Sequence, residues 1–353
     1  MHLFKRQMRT AGRCLIAALA LPLLWNQSPT ASAALAAPSA SIENKVSSDE
    51  NPYAQRKDLF HKISTLTGIP WFYLAAIDQY ERTLSIARPK KRPPREGLIG
   101  IYFTPLEWVG MMNPDELDRN VSSISFFGGY GRDGSGDGKA DLTNDADVLY
   151  SMASHILAYG NKEDDLRIAL WEHYQNSRSI ERIEQFAKIY AARNTLDLSQ
   201  HAFPVPVRSR YSFRSTWGAG RSWGGYRIHE GTDIFAGYGV PVRSTCYGIV
   251  ENKGWNPYGG WRIGIRDTDN IYHYYAHLQG FDKNLKEGDL LTPGQVIGWV
   301  GSSGYGKPGT SGKFPPHLHY GVYRDNGLTE WSFDPYPLLK RWERSERTTN
   351  KSH

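Results

Sequence analysis

The hydrophobic period of this sequence changes once, between Leu196 and Pro206, and that change limits the architectures open to it. Before it, apolar residues recur at helical spacing. Leu59, Phe60, Ile63 and Leu66 are closed by Gly68, and Pro70 opens a run to Tyr80. Leu149, Met152, Ala153, Ile156 and Leu157 are stopped by Gly160, Asp164 is placed to cap Leu166 to Tyr174, and Ile180, Ile183, Ala187 and Tyr190 carry the pattern to Asn194. Such recurrence marks amphipathic helices, and Gly and Pro at their margins are start and stop signals. Pro204 and Pro206 end it. Short β-rich runs follow, separated by Gly and Pro: Gly239 to Val250, Trp261 to Arg266, Tyr272 to Leu278, Gln295 to Val300 and His317 to Tyr323. No helical pattern lies between them to make a parallel crossover. The predicted class is α+β multidomain, with a mainly α region over 51–200, an antiparallel β sandwich or partial barrel over 201–342, and a polar tail over 343–353.

Lys5, Arg6, Arg9 and Arg13 precede an apolar run from Cys14 to Trp25 and an Ala31-Ser-Ala33 triplet, the layout of a secretory signal peptide over residues 1–33. The run falls short of the roughly 20 residues that a bilayer span needs, so no membrane span is expected after cleavage. Residues 34–50, rich in Ala, Ser and Pro, read as a flexible linker. Cleavage would leave Cys246 as the lone thiol, which excludes an intramolecular disulfide, and its apolar surroundings predict a buried strand residue. A formal charge of +6 favours an anionic partner. No nucleic-acid motif is present, so the acidic wall or membrane surface is the expected one, and nucleic acid is not.

The residues suited to chemistry lie after the boundary. His229 and Asp233 stand four apart with Gly231 between them, which argues against a helical H-E-x-x-H arrangement and puts the pair on a turn entering a strand. In His317-Leu-His319 the strand period of two puts both imidazoles on one face. Two imidazoles and one carboxylate, with a fourth position left to water, suit a hydrolytic zinc ion. The remaining histidine of the pair is then free to meet a substrate.

Taken with Phe203-Pro-Val-Pro206, Gly239-Val-Pro-Val242, Gly248-Ile-Val250, Tyr275-Ala-His-Leu278, Gly288-Asp289, Gly294-Gln-Val-Ile-Gly298, Gly301-Ser302 and Pro316-His-Leu-His319, these motifs resemble the lysostaphin/LytM-type zinc endopeptidases of bacterial cell walls. The resemblance implies His229, Asp233 and His319 as ligands of one Zn2+ per chain, His277 and His317 as the catalytic pair, and peptidoglycan as the substrate of a secreted enzyme. Ser244-Thr-Cys-Tyr-Gly248 and His273 depart from the family pattern without touching those five positions. Which of His277 and His317 deprotonates water and which stabilises the oxyanion stays open. Glu230 is expected to neighbour the ligands or face solvent. The expected groove walls are Trp217 to Tyr226, Trp255 to Trp261 and Gly301 to Pro316.

The helical half has its own signals. Arg88-Pro-Lys-Lys-Arg-Pro-Pro-Arg95 cannot be helix and reads as an exposed loop. Asp133, Ser135, Asp137 and Asp141 take the spacing of an EF-hand loop, which allows Ca2+, but the twelfth position is Asn144 rather than a bidentate Glu, and this favours a hydrogen-bonded turn. Leu74-Ala-Ala-Ile-Asp-Gln-Tyr-Glu81, Gly97 to Trp108, Asp137 to Asp141 and Ala169 to Asn176 resemble a diverged lytic-transglycosylase (lysozyme-like) domain. Glu81 stands where that family has its catalytic acid, yet Arg82 replaces the Ser that follows, which implies a substrate-positioning relic. The pairing of such a domain with a zinc peptidase resembles the sporulation-specific endopeptidases of endospore-forming bacilli and implies cleavage of the L-Ala–D-Glu bond in the spore cortex. The alternatives are a non-catalytic wall-binding scaffold or amidase activator, which usually lacks ligands that are all present here, and a glycan-cleaving enzyme working through Glu81.

Overall fold

The computed structural model describes residues 51–222 and 225–349. The predicted signal peptide 1–33 and linker 34–50 lie outside the described residues. The helical half comprises α1 (Pro52–Thr67), α2 (Trp71–Ala87), α3 (Pro105–Val109), α4 (Val121–Phe126), α5 (Asp145–Leu157), α6 (Glu163–Tyr174) and α7 (Ser177–Arg193). Local chemistry sets its ends. Asn51, Asn120, Asn144 and Asn176 accept amides of the first turns of α1, α4, α5 and α7, and Gly68 and Asn194 close α1 and α7 in the left-handed region. α2 runs on past Tyr80 because Thr83 and Leu84 extend its buried face. Asp165, rather than Asp164, reaches back to the amide of Lys162 at the head of α6. The two short helices α3 and α4 escaped sequence reading because five and six residues are too few to display a period. Phe60, Ile77, Tyr80, Met152, Ile183 and Phe186 are among the buried residues of the core these helices share.

The second half comprises β1 (Tyr211–Phe213), β2 (Gly220–Arg221), β3 (Arg227–Ile228), β4 (Thr232–Ala236), β5 (Pro241–Arg243), β6 (Gly248–Asn256), β7 (Gly260–Arg266), β8 (Ile271–Phe281), β9 (Leu290–Leu291), β10 (Val296–Val300), β11 (His317–Asp325), β12 (Glu330–Phe333) and α8 (Tyr336–Thr349). Among the described residues, ten strands form one branched antiparallel sheet with the main path β1-β4-β11-β8-β7-β6-β9, and β2 and β3 form a separate ribbon. The run predicted from Gly239 to Val250 is two strands, and Cys246 is buried in the turn between them instead of in a strand. Residues 343–349, read as a polar tail, belong to α8. Its Leu339 and Trp342 are buried, Tyr211 donates to Glu343 at 2.6 Å, and Arg243 meets Glu346 at 2.9 Å. Among the described residues, no helix is long and apolar enough to cross a membrane.

Two hydrophobic cores result, the first including Leu196 and the second starting at Phe203. A buried charge network joins them. Arg182 of α7 reaches Glu251 at 3.0 Å, Asp325 at 3.3 Å and Glu330 at 3.7 Å, while Arg266 of β7 binds Glu251 at 2.9 Å and also holds Glu330. The Arg266 and Asp325 side chains are wholly buried, so each charge depends on its partners for the solvation it has lost. Replacing Arg182 by Ala should cost about 3–5 kcal/mol of folding stability, the usual effect of removing one member of a buried ionic cluster. Denaturant unfolding of the variant measures this, and a loss below about 1 kcal/mol would show that the network does not tie the halves together.

Candidate active site

Strand pairing builds the site. β11 pairs with β4 so that His319 lies opposite Asp233 and His317 opposite Phe235, and pairs with β8 so that His319 lies opposite Ala276. One face of β11 therefore presents His317 and His319, and the other sends Leu318, Tyr320 and Val322 into the core. His229 arrives from the turn between β3 and β4, its amide donating to Ala219 at 2.8 Å. Gly231 is required there. A Cβ at that position would come within 2.6 Å of His319 Cε1.

His229 Nε2 lies 3.0 Å from Asp233 Oδ1 and 2.9 Å from His319 Nδ1, which is itself 3.1 Å from the same carboxylate oxygen. The tautomer of His229 is set by its far nitrogen: Nδ1 donates to the Thr216 carbonyl at 2.9 Å, so Nε2 carries a lone pair. A lone pair facing a carboxylate oxygen and a second imidazole is repulsive until a cation or proton sits between them. Two neutral nitrogens and one carboxylate fit a divalent metal of the zinc type. Burial by itself would raise the pKa of Asp233, but positive charge shared with His229 and His319 holds its carboxyl well below the usual carboxylate range. Arg221 binds the outer oxygen, Oδ2, at 2.5 Å and so leaves Oδ1 to the centre.

His277 reaches the same place by an irregular route. Tyr275, two residues earlier on β8, faces the core, so strict alternation would bury His277 on the core side too. Instead the β7 and β8 registers shift between Trp261 and Ile263, His277 takes a φ of 61°, and its amide donates to Gly259 at 2.7 Å. This bulge re-aims the side chain to the metal side. The His277 and His317 ring centroids are 4.7 Å apart. Each Nδ1 donates to a carbonyl at 2.7 Å, that of Ser303 and that of Pro315 respectively, so each Nε2 carries the lone pair. Burial, reinforced by His317 and His319, pushes His277 down to about 3, and it is neutral at physiological pH.

His229, Asp233, His277 and His319 line a cavity of about 590 Å³, and His317 lies behind them, its ring against that of His277. Of the walls expected from sequence, Arg221, Asn256, Tyr258, Gly259 and Tyr305 line the cavity. Trp255 and Trp261 pack edge to face at 5.2 Å, and Trp261 also meets Phe281, so these indoles serve mainly to pack each other. Sequence reading missed Arg262, Tyr272, Tyr274 and Tyr323, which line the cavity from the sheet floor. Their signal was parity: Tyr274 and Tyr323 fall on the strand face of His319, which becomes visible only when the pairing of β8, β7 and β11 is known. Glu230 is exposed and accepts from Tyr323 at 3.3 Å.

Two alternatives raised for the helical half, Ca2+ and a glycan-cleaving Glu81, find no support. Asp133 accepts the amides of Gly136 and Gly138 at 2.6 and 2.7 Å and the Ser135 hydroxyl, Asp137 accepts Lys139, and Asp141 turns to Thr143 and Arg119. The loop is a hydrogen-bonded turn, also tied by Asp147, and gives Ca2+ at Asp133, Ser135, Asp137 and Asp141 no support. Glu81 is fully buried and bidentate to Arg92 of the basic loop at 2.8 and 2.6 Å, which leaves no carboxyl for a glycan.

Residues 227–334 match the model of peptidase family M23. The chain is 56% identical over 298 residues to the L-Ala–D-Glu endopeptidase of Bacillus subtilis (strain 168), covering 84% of this chain and 91% of that one. It is 35% identical over 127 residues to the glycyl-glycine endopeptidase ALE-1 of Staphylococcus capitis, covering 35% of this chain and 33% of that one. The solved catalytic domain of lysostaphin from Staphylococcus simulans is 31% identical over 37% of this chain and 92% of that one, with a TM-score of 0.30. Because the family match holds His229, Asp233, His277, His317 and His319 in one stretch, and the similarity to the Bacillus enzyme runs through nearly its whole length, the chain belongs to peptidase family M23.

Proposed function

We propose that the chain is a zinc-dependent endopeptidase that acts outside the cytoplasm on peptidoglycan, hydrolysing the bond between L-Ala and D-Glu in its peptide stems, with the spore cortex as its setting. The observation that carries this reading is the convergence of His229 Nε2, Asp233 Oδ1 and His319 Nδ1 within 3.1 Å of one another beside two further histidines. The choice of bond rests on the similarity to the Bacillus subtilis enzyme. The helical half, on this reading, is a lysozyme-like relic that supports the peptidase without a second active site, as the burial of Glu81 suggests.

Zinc, when bound, polarises the scissile carbonyl and lowers the pKa of a water to roughly 7. The chain's own residues do the rest. His277 and His317 are held by backbone carbonyls in the tautomer that turns a basic Nε2 toward the substrate. One accepts a proton from the attacking water at Nε2. The other, whose Nδ1 proton is likewise held by a carbonyl, first takes up a proton at Nε2 and then, as imidazolium, donates to the carbonyl oxygen as negative charge develops on it. Both rings are largely buried, so neither has to shed a water shell before it acts.

Replacing His319 by Ala should remove both stoichiometric zinc and activity, whereas His277→Ala and His317→Ala should keep zinc and lose turnover by roughly two or more orders of magnitude. Metal analysis beside a peptidase assay checks the division, and zinc lost in parallel with activity in the latter two would reverse it. For the bond, the mature protein incubated with spore-type peptidoglycan should leave a single L-Ala on muramic acid and release a peptide beginning with D-Glu. Mass spectrometry of the muropeptides reads this, and products keeping a dipeptide or longer stem would contradict the assigned bond.

A further inference from the structure

The metal-site cavity holds two guanidinium groups that no carboxylate of the described residues neutralises. Arg227 of β3, two residues before the ligand His229, is half buried, and its Nε is buried without an acceptor among the described residues. Its guanidinium lies 5.2 Å from the Tyr258 ring centroid. Arg262 of β7 donates to the amide oxygen of Asn252. The acidic residues of the same cavity are engaged elsewhere. Asp233 is bound by Arg221 and faces the ligand histidines, Glu330 is bound by Arg266, and Glu230 accepts from Tyr323. Two cations therefore face the groove without acidic partners.

Their positions fit a particular ligand. Arg262 stands on the strand face that Tyr274 shares, since Gly264 pairs with Tyr274 and Ile263, between them in sequence, turns to the core. In the sheet order β7 follows β8, which follows β11, so at about 4.8 Å per strand its backbone lies about 10 Å from that of His319. The bond of Arg262 to Asn252 of β6 turns the guanidinium away from β11, so it lines the outer wall of the cavity, where the part of a stem beyond the metal-bound bond would lie. Arg227 approaches from the β2–β3 ribbon instead of from the sheet. A glutamate whose nitrogen forms the scissile bond retains two carboxyl groups, and at most one of them continues the chain. At least one carboxylate thus accompanies the residue on the leaving side, and a planar guanidinium is its best-matched partner.

We propose that Arg227 and Arg262 form a carboxylate-binding subsite that selects an acidic residue immediately after the scissile bond. This rests on the assignment of the L-Ala–D-Glu bond made above. The contact separates an acidic stem from an uncharged bridge by charge, while the five residues at the metal stay common to both. An amide in place of the carboxylate would leave the guanidinium groups without their anion in a partly desolvated groove.

The test uses the zinc-loaded full protein and two synthetic stems that differ only in whether the free carboxylate of the glutamate is left as acid or converted to amide. Wild-type kcat/KM should fall by about 10- to 100-fold on the amidated stem, the range for charged hydrogen bonds. Arg227→Ala and Arg262→Ala should lose a similar factor on the acidic stem and little further on the amidated one, with zinc content unchanged, and Arg227→Lys should recover part of the loss. A wild type that cuts both stems equally well overturns the subsite, and so do variants that lose the same factor on both stems. Failure of the wild type to cut either stem would instead overturn the assignment of the bond, and the subsite with it.

Discussion

The pairing of β11 with β4 is the constraint on which everything functional depends, because it sets Asp233 opposite His319 and lets the turn before β4 deliver His229 to the same point. A slip of one residue would bring Leu318 to the metal face and bury His319 in the core. The register is held from the core side, where Ile234, Leu318, Tyr320 and Tyr275 are completely buried. The apolar face thus does the work of placing the polar one. Burial of four such side chains stabilises by several kcal/mol, at about 1.5–3 kcal/mol each, enough to hold three mutually repelling lone pairs in place before a cation arrives.

The core side of the sheet also carries a polar network. Thr245, His273, Tyr275 and Tyr320 are linked by hydrogen bonds of 2.7–3.2 Å, and Asp267 closes on His273 at 2.9 Å. His273 departs from the family pattern, and its burial opposes a charge that contact with Cys246 and Asp267 favours; the balance lifts it to about 10. The polar atoms named here have partners, as buried polar groups must. Beyond them the network around Arg182 and Arg266 holds Glu330, which lines the groove, so through Arg182 the helical half braces one wall of it.

Much of this was legible in the residues. The change of period near Pro204 separated helices from strands, H-x-x-x-D and H-x-H pointed to the three side chains that the fold brings together, and Gly231 excluded a helix between His229 and Asp233. What escaped depended on pairing. His277 belongs by parity to the core face of β8 and joins the site only through a bulge that no alternation pattern announces. The short strands β1, β2, β3, β9 and β12 carry too few residues to show a period. The acidic loop at Asp133 matched a calcium spacing, yet its oxygens are spent on its own amides. Glu81 has the residue type that a catalytic acid would need, yet Arg92, from a loop read as merely exposed, holds it in a buried ion pair.

X-ray absorption at the zinc edge of the metal-loaded protein reads the donor atoms around the metal. The expected shell holds light atoms alone, two imidazole nitrogens at about 2.0–2.1 Å, a carboxylate oxygen at about 2.0–2.2 Å and a water oxygen, unchanged when His277 is replaced by Ala. A sulfur at about 2.3 Å, pointing to Cys246 beside Asp267 and His273, or a shell that loses an imidazole with His277, would contradict it.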